Sequence, residues 1–149
     1  MTRPFVEENA RERERLRALA RKLTDEQLRI DLGGGWTVAT ALAHLAFWDS
    51  LSLCRIRQWK QAGVSASSLD LDVINDALLP LLREMPPRKA ADLAVAAADA
   101  VDAELEGLSV AIVEAIERLG DRRRLYRAAH RRMHLDQIED ALSGLGHSG

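Results

Sequence analysis

The stretch Val38-Ala39-Thr40-Ala41-Leu42-Ala43-His44-Leu45-Ala46-Phe47-Trp48-Asp49-Ser50-Leu51-Ser52-Leu53 decides the fold. Eleven of its 16 residues are apolar, too many for a helix that buries only one stripe, so this segment is covered on most sides. The inside of a helical bundle or a dimer interface provides that cover. A membrane does not, because a span needs roughly 20 apolar residues and His44 and Asp49 interrupt this one. Thr37 is placed to cap the helix and Gly63 to end it.

Working outward, the rest of the chain also reads as helix. Alternation of apolar and polar residues never persists, β-branched residues are sparse, and nothing reads as strand. A first helix is predicted over Pro4–Lys22, capped by Thr2, with Phe5, Leu16, Leu19, Ala20 and Leu23 as its apolar stripe. Thr24 and Gln27 form a capping box for a short piece, Asp25 to Ile30, and Gly33-Gly34-Gly35 breaks the chain. Beyond Gly63 a loop leads to a short helix, Asp72 to Met85, that contains Pro80. After Pro86-Pro87 a third long helix runs from Arg88 to Gly107. Its stripe is Ala90, Ala94, Ala97, Val101 and Leu105, with Lys89, Asp92, Asp99, Asp102 and Glu106 on the other side. Val110 to Leu119 is another short piece. The last long helix is predicted from Arg122 to Leu142, with residues 145–149 as a disordered tail. Four long helices over residues 1–144 make one all-α four-helix bundle.

Composition fits this. The chain has 149 residues, 47% hydrophobic and 30% charged, with a net charge of −2. That balance suits one globular domain and gives no global pull toward nucleic acid or anionic membrane. A single cysteine, Cys54, and the lack of an apolar signal core near the N-terminus imply a cytoplasmic protein. Arg122, Arg123, Arg124, Arg127, Arg131 and Arg132 form a basic cluster. Without aromatic interleaving it reads as a solvated face paired with acidic residues of the third helix. Within it, Arg123 or Arg127 can also meet an anionic thiol or a substrate carboxylate.

His44, His130 and His134 carry the chemistry. His130 and His134 fall on the stripe Tyr126, His130, Met133, Ile138, Ala141 of the last helix, one turn apart, while Arg127, Arg131 and Arg132 point elsewhere. Their Cβ atoms are then about 5–6 Å apart, close enough for both rings to reach one ion. His44 lies mid-way along the most apolar helix, where an unsatisfied imidazole costs about 1–3 kcal/mol. A hydrogen bond to a backbone carbonyl satisfies it; so does a third place on the same ion. Position 131 is Arg where a zinc-peptidase H-E-x-x-H helix has Glu, which argues against a peptidase. Gln137 is placed to orient His134. Trp48 shares the His44 face, as core or as a substrate wall. Asp49 lies about 140° around the helix and is expected to pair with a buried arginine.

The run Gly35-Trp36-Thr37-Val38 with Leu42-Ala43-His44-Leu45-Ala46-Phe47-Trp48-Asp49, followed by His130-Arg131-Arg132-Met133-His134-Leu135-Asp136-Gln137-Ile138, resembles the two signatures of the DinB/YfiT-like superfamily. The resemblance covers nearly the whole chain. It implies a bundle with a long crossover connection and a divalent metal (zinc, with nickel or iron as alternatives) on His44, His130 and His134. The Gly-Trp-Thr opening, the His-Leu-x-x-Trp-Asp run and, less specifically, Asp72 and Asn75 look closest to the bundle domain of mycothiol-dependent maleylpyruvate isomerases. Those enzymes carry a further domain absent from these 149 residues, so that particular activity is not expected. The resemblance implies a thiol-dependent transferase, isomerase or hydrolase acting on a small electrophile, with mycothiol or a similar thiol as co-reactant. The alternative is a non-catalytic metal-binding stress-response or interaction module. Three neutral imidazoles with no fourth ligand in the sequence pattern leave positions open on the ion. The apolar second helix further suggests a homodimer.

Overall fold

The computed structural model describes residues 3–146. Its elements are α1 (Pro4–Lys22), α2 (Asp25–Leu28), β1 (Asp31–Gly33), β2 (Trp36–Thr37), α3 (Val38–Ala62), α4 (Leu71–Arg83), α5 (Pro87–Glu106), α6 (Val110–Leu119), a 3₁₀ turn (Arg122–Arg124) and α7 (Ala128–Gly146). Two expected caps are present: the Thr24–Gln27 box opens α2, and Thr37 Oγ1 accepts the Thr40 N–H at 3.1 Å; the N-cap position of α1 is Arg3, without a side-chain cap bond. Thr2 and His147 lie outside the described residues.

The long helices form the bundle. Helix α3 packs against α5 and α7, and α1 packs against α5 and α7. Consecutive long helices α1 and α3 therefore sit on a diagonal, as do α5 and α7, and the short pieces α2 and α6 belong to the connections that cross between them. Val38 to Ala46 of α3 is buried within the chain.

Three expectations need correction. The chain does contain strand: Asp31 pairs with Thr37 and Gly33 with Trp36 in a small antiparallel hairpin. Three glycines with φ of +94°, +61° and +85° turn it, a backbone region that residues with a Cβ avoid. It is too short for alternation to register. The last helix begins at Ala128 instead of Arg122, because the Arg122–Arg124 turn and an irregular step intervene, and it runs on to Gly146 instead of stopping near Leu142.

The third correction concerns the arginines. Arg124, Arg127 and Arg131 are buried, Arg131 completely, whereas Met133, placed on the apolar stripe, is 57% exposed. Arg131 donates to both oxygens of Asp102 at 2.8 and 2.9 Å and to Asp49 at 3.1 Å. Arg127 takes the other Asp49 oxygen at 2.8 Å, and Arg13 joins Asp102 at 2.9 Å. Asn9 accepts the Ala128 N–H and donates to the Leu125 carbonyl. This polar layer draws on all four long helices and separates two apolar clusters. One centres on Leu16, Leu42, Ala94 and Leu135; the other centres on Phe5, Trp59, Leu105 and Leu125. Pairing with acidic residues of the third long helix was expected on a solvated face; it occurs inside the bundle, through the buried Asp102. Buried charges survive only when paired and hydrogen-bonded in this way.

Candidate metal centre

Because α3 and α7 are neighbours, His44 is brought onto the one-turn pair His130 and His134. The three ring centroids form a near-equilateral triangle with sides of 5.0, 4.8 and 4.9 Å. One ligand-capable atom from each lies within 4.8 Å of the others, and among the described residues no further His, Cys, Asp or Glu joins the group. His44 Nε2 and His130 Nε2 are 3.0 Å apart. Two nitrogens on a tetrahedral ion at about 2.0–2.1 Å would be roughly 3.3 Å apart, so that pair already has nearly the spacing of co-ligands.

The ring nitrogens support the same reading. His134 Nδ1 lies 3.2 Å from Gln137 Oε1. An amide oxygen accepts, so Nδ1 carries the hydrogen and Nε2 keeps a lone pair. That Nε2 is buried with no hydrogen-bond partner among the described residues, as is His44 Nδ1. A divalent ion inside the triangle satisfies the first of these. Of the three rings, His134 alone has a neighbouring side chain holding its outer nitrogen, where partners were expected for all three.

The three rings are also neutral at physiological pH. Burial, with His134 nearby, pushes His44 down to about 4. Burial and the charges of His134, Arg127, His44 and Arg131 push His130 well below the imidazole range. Burial lowers His134, with Gln137 acting in the opposite sense. Neutral imidazoles are what metal ligation requires. The donor set therefore fits a divalent ion.

The triangle lines a cavity of about 620 Å³, within the range of small-molecule sites. Trp36 and Trp48 meet His44 edge-on, with centroids at 5.2 and 6.3 Å. Trp48 is both buried and a wall of the cavity, and its indole N–H donates to Asn75 Oδ1 at 2.9 Å. Gln137 and Arg127 line the cavity too. Asp49 does not: it is 1% exposed and held by Arg127 and Arg131, as expected of a structural ion pair.

Sequence reasoning did not select Trp36, Tyr126, Arg124 or Leu71, all of which line the cavity. Trp36 follows the glycine turn, and that turn was the available signal. Tyr126 and Arg124 fall in the segment misread as regular helix.

A scan against protein families matches residues 8–143 to the DinB superfamily. No curated protein and no solved structure matches the chain. The match spans the bundle and includes all three histidines, and the chain belongs to the DinB superfamily.

Proposed function

We propose that this chain is a metal-dependent enzyme that brings a low-molecular-weight thiol, mycothiol or a similar one, to a small electrophile. His44, His130 and His134 hold one divalent ion, most suitably zinc, and the reaction is a transfer, an isomerisation or a hydrolysis. One observation carries the reading: three neutral imidazoles converge on a cavity wall with no fourth protein ligand among the described residues. Structural zinc sites are closed by four protein ligands, and catalytic ones keep a position for substrate. The alternative of a purely structural metal calls for a sealed site, which an open cavity disfavours.

When bound, such an ion supplies Lewis acidity and lowers the pKa of a thiol or water that reaches it. The chain's own groups do the rest. Gln137 fixes the tautomer and orientation of His134. Trp36 and Trp48 brace His44 and present apolar wall, and Asn75 fixes the Trp48 indole. In a transfer, the new sulfur–carbon bond replaces the bond to the leaving group, which departs with the thiol's proton.

Elemental analysis of the purified protein is expected to give one divalent ion per chain. Thiol consumption is then followed with a chromogenic haloarene as electrophile, in the native protein and in His134→Ala. The variant should keep its helical circular dichroism and lose metal and turnover together. Protein that holds no metal, or holds one and consumes no thiol with any electrophile class, sinks the proposal.

A further inference from the structure

The cavity has a second wall, opposite in character to the histidine triangle. Arg123, Arg124 and Arg127 line it, with Asp121 and Asp72 as the acidic residues among the lining. Asp121 is engaged by Arg124 at 3.4 Å. Asp72 lies on α4, one turn from the Asn75 that holds Trp48. The Arg127 side chain folds back along the backbone, donating to the Arg123 carbonyl at 3.0 Å, which draws it toward Arg123. Arg123 is exposed, and its guanidinium has no ion-pair partner among the described residues.

Behind this wall lies the buried polar layer. Arg127 and Arg131 share Asp49, while Arg131 and Arg13 share Asp102. Arg13 also meets Asp99 at 3.6 Å and Glu14 at 3.9 Å. Arg124 is disfavoured as a cation by burial and by Arg127 and Arg55 nearby, against the pull of Asp121. The first turn of α7 adds to the same field. Ala129 lines the cavity, and the N–H groups of Ala129 and His130 precede the first intrahelical bond, which Arg131 makes to Arg127. His44, 5% exposed and lining the same cavity, keeps a nitrogen without a partner.

We infer that Arg123, Arg127 and the α7 N-terminus form a carboxylate-binding subsite, so that the small molecule taken by this cavity is an anion. Its carboxylate lies on the arginine wall and its reactive end over the three imidazoles. Arg127 immediately precedes α7 and His130 lies three residues further on, and both line the same cavity. A short carboxylate can therefore meet both groups. The inference deepens the proposed function and rests on it for the placement of the reactive end.

The test compares 3-mercaptopropionate with 3-mercaptopropionamide, which has the same length and thiol but no charge. Calorimetric titration of zinc-loaded protein at low ionic strength should show the carboxylate bound about tenfold more tightly, as expected of a charge-assisted contact. Arg123→Gln, at an exposed position, should cut that preference about threefold without changing the amide's affinity. Arg123→Gln combined with Arg127→Gln should abolish it, with folding checked by circular dichroism. Equal affinities in the native protein, or a preference untouched in the double variant, overturn the inference while leaving the metal site standing. Should the protein hold no zinc, propionate against propionamide on metal-free protein decides instead. Movement of the Ala129 amide and arginine side-chain resonances by propionate alone supports the subsite, and no movement ends it.

Discussion

At the scale of single residues, Arg131 and His134 separate stability from function although they lie one turn apart. Arg131 is fully enclosed and answers two carboxylates. Replacing it with Met leaves Asp49 and Asp102 each with one partner in place of two. Breaking a buried pair typically costs 3–5 kcal/mol, so Arg131→Met should lower the urea-unfolding free energy by about 3 kcal/mol. A loss below about 1 kcal/mol would mean that the layer contributes little. His134 is half-buried and touches Gln137 and the other two rings. His134→Ala should cost little in folding but reduce bound metal by tenfold or more, measured by equilibrium dialysis. The sequence displayed the second role through spacing alone. It hid the first, since an arginine between two histidine-bearing turns looks like any surface arginine until Asp49 and Asp102 arrive from α3 and α5.

At the scale of elements, two junctions set the site. The start of α7 is held by a residue far away in sequence: Asn9 Oδ1 accepts the Ala128 N–H at 2.8 Å, and Asn9 Nδ2 donates to the Leu125 carbonyl at 2.7 Å. Asn9→Ala removes a helix cap and leaves two buried backbone groups unsatisfied, a loss of about 1–2 kcal/mol. Faster amide exchange confined to residues 125–132 would localise it; uniform exchange would show that the cap is not what fixes α7. The second junction is the glycine hairpin. Arg83 of α4 donates to the Gly35 carbonyl at 3.0 Å; a Cβ on Gly35 would displace that flexible guanidinium, and the φ of +85° there disfavours any residue with a Cβ. Gly35→Ala should therefore cost about 1–3 kcal/mol and loosen Trp36, whose fluorescence reports the change. An unaltered spectrum and melting point would exclude the clamp.

At the scale of the whole molecule, the histidine triangle couples folding to pH and metal. The folded-state pKa values of His44, His130 and His134 lie below the unfolded value near 6.5. The unfolded chain therefore binds more protons as the medium is acidified, and stability falls with falling pH. For metal-free protein the loss should begin near pH 6.5 and continue down through about 4, the value for His44. Urea midpoints at pH 7, 6 and 5 should decline in the native sequence and decline less in His130→Gln. Excess zinc should raise the midpoint at pH 7 by mass action, about 4 kcal/mol at a thousandfold excess over Kd, and raise it less at pH 5, where protons compete for the same lone pairs. Identical slopes with and without zinc would detach the metal from these rings. Among the described residues no helix is long and apolar enough to cross a membrane.

The sequence alone determined the helices, the N-caps of α2 and α3 and the three histidines. These depend on period and on chemistry carried by neighbours in the chain: an apolar α3, a Thr at the N-caps of α2 and α3, an i,i+4 pair on α7. The polar layer, the arginine wall, the hairpin and the true start of α7 became visible only in three dimensions. Each depends on partners tens of residues apart, Asp102 to Arg131 or Asn9 to Ala128, and a charge shows nothing locally of whether it faces water or a buried counter-ion. Burial is a property of packed elements, so tertiary structure decided which of the arginines are structural and which face the cavity.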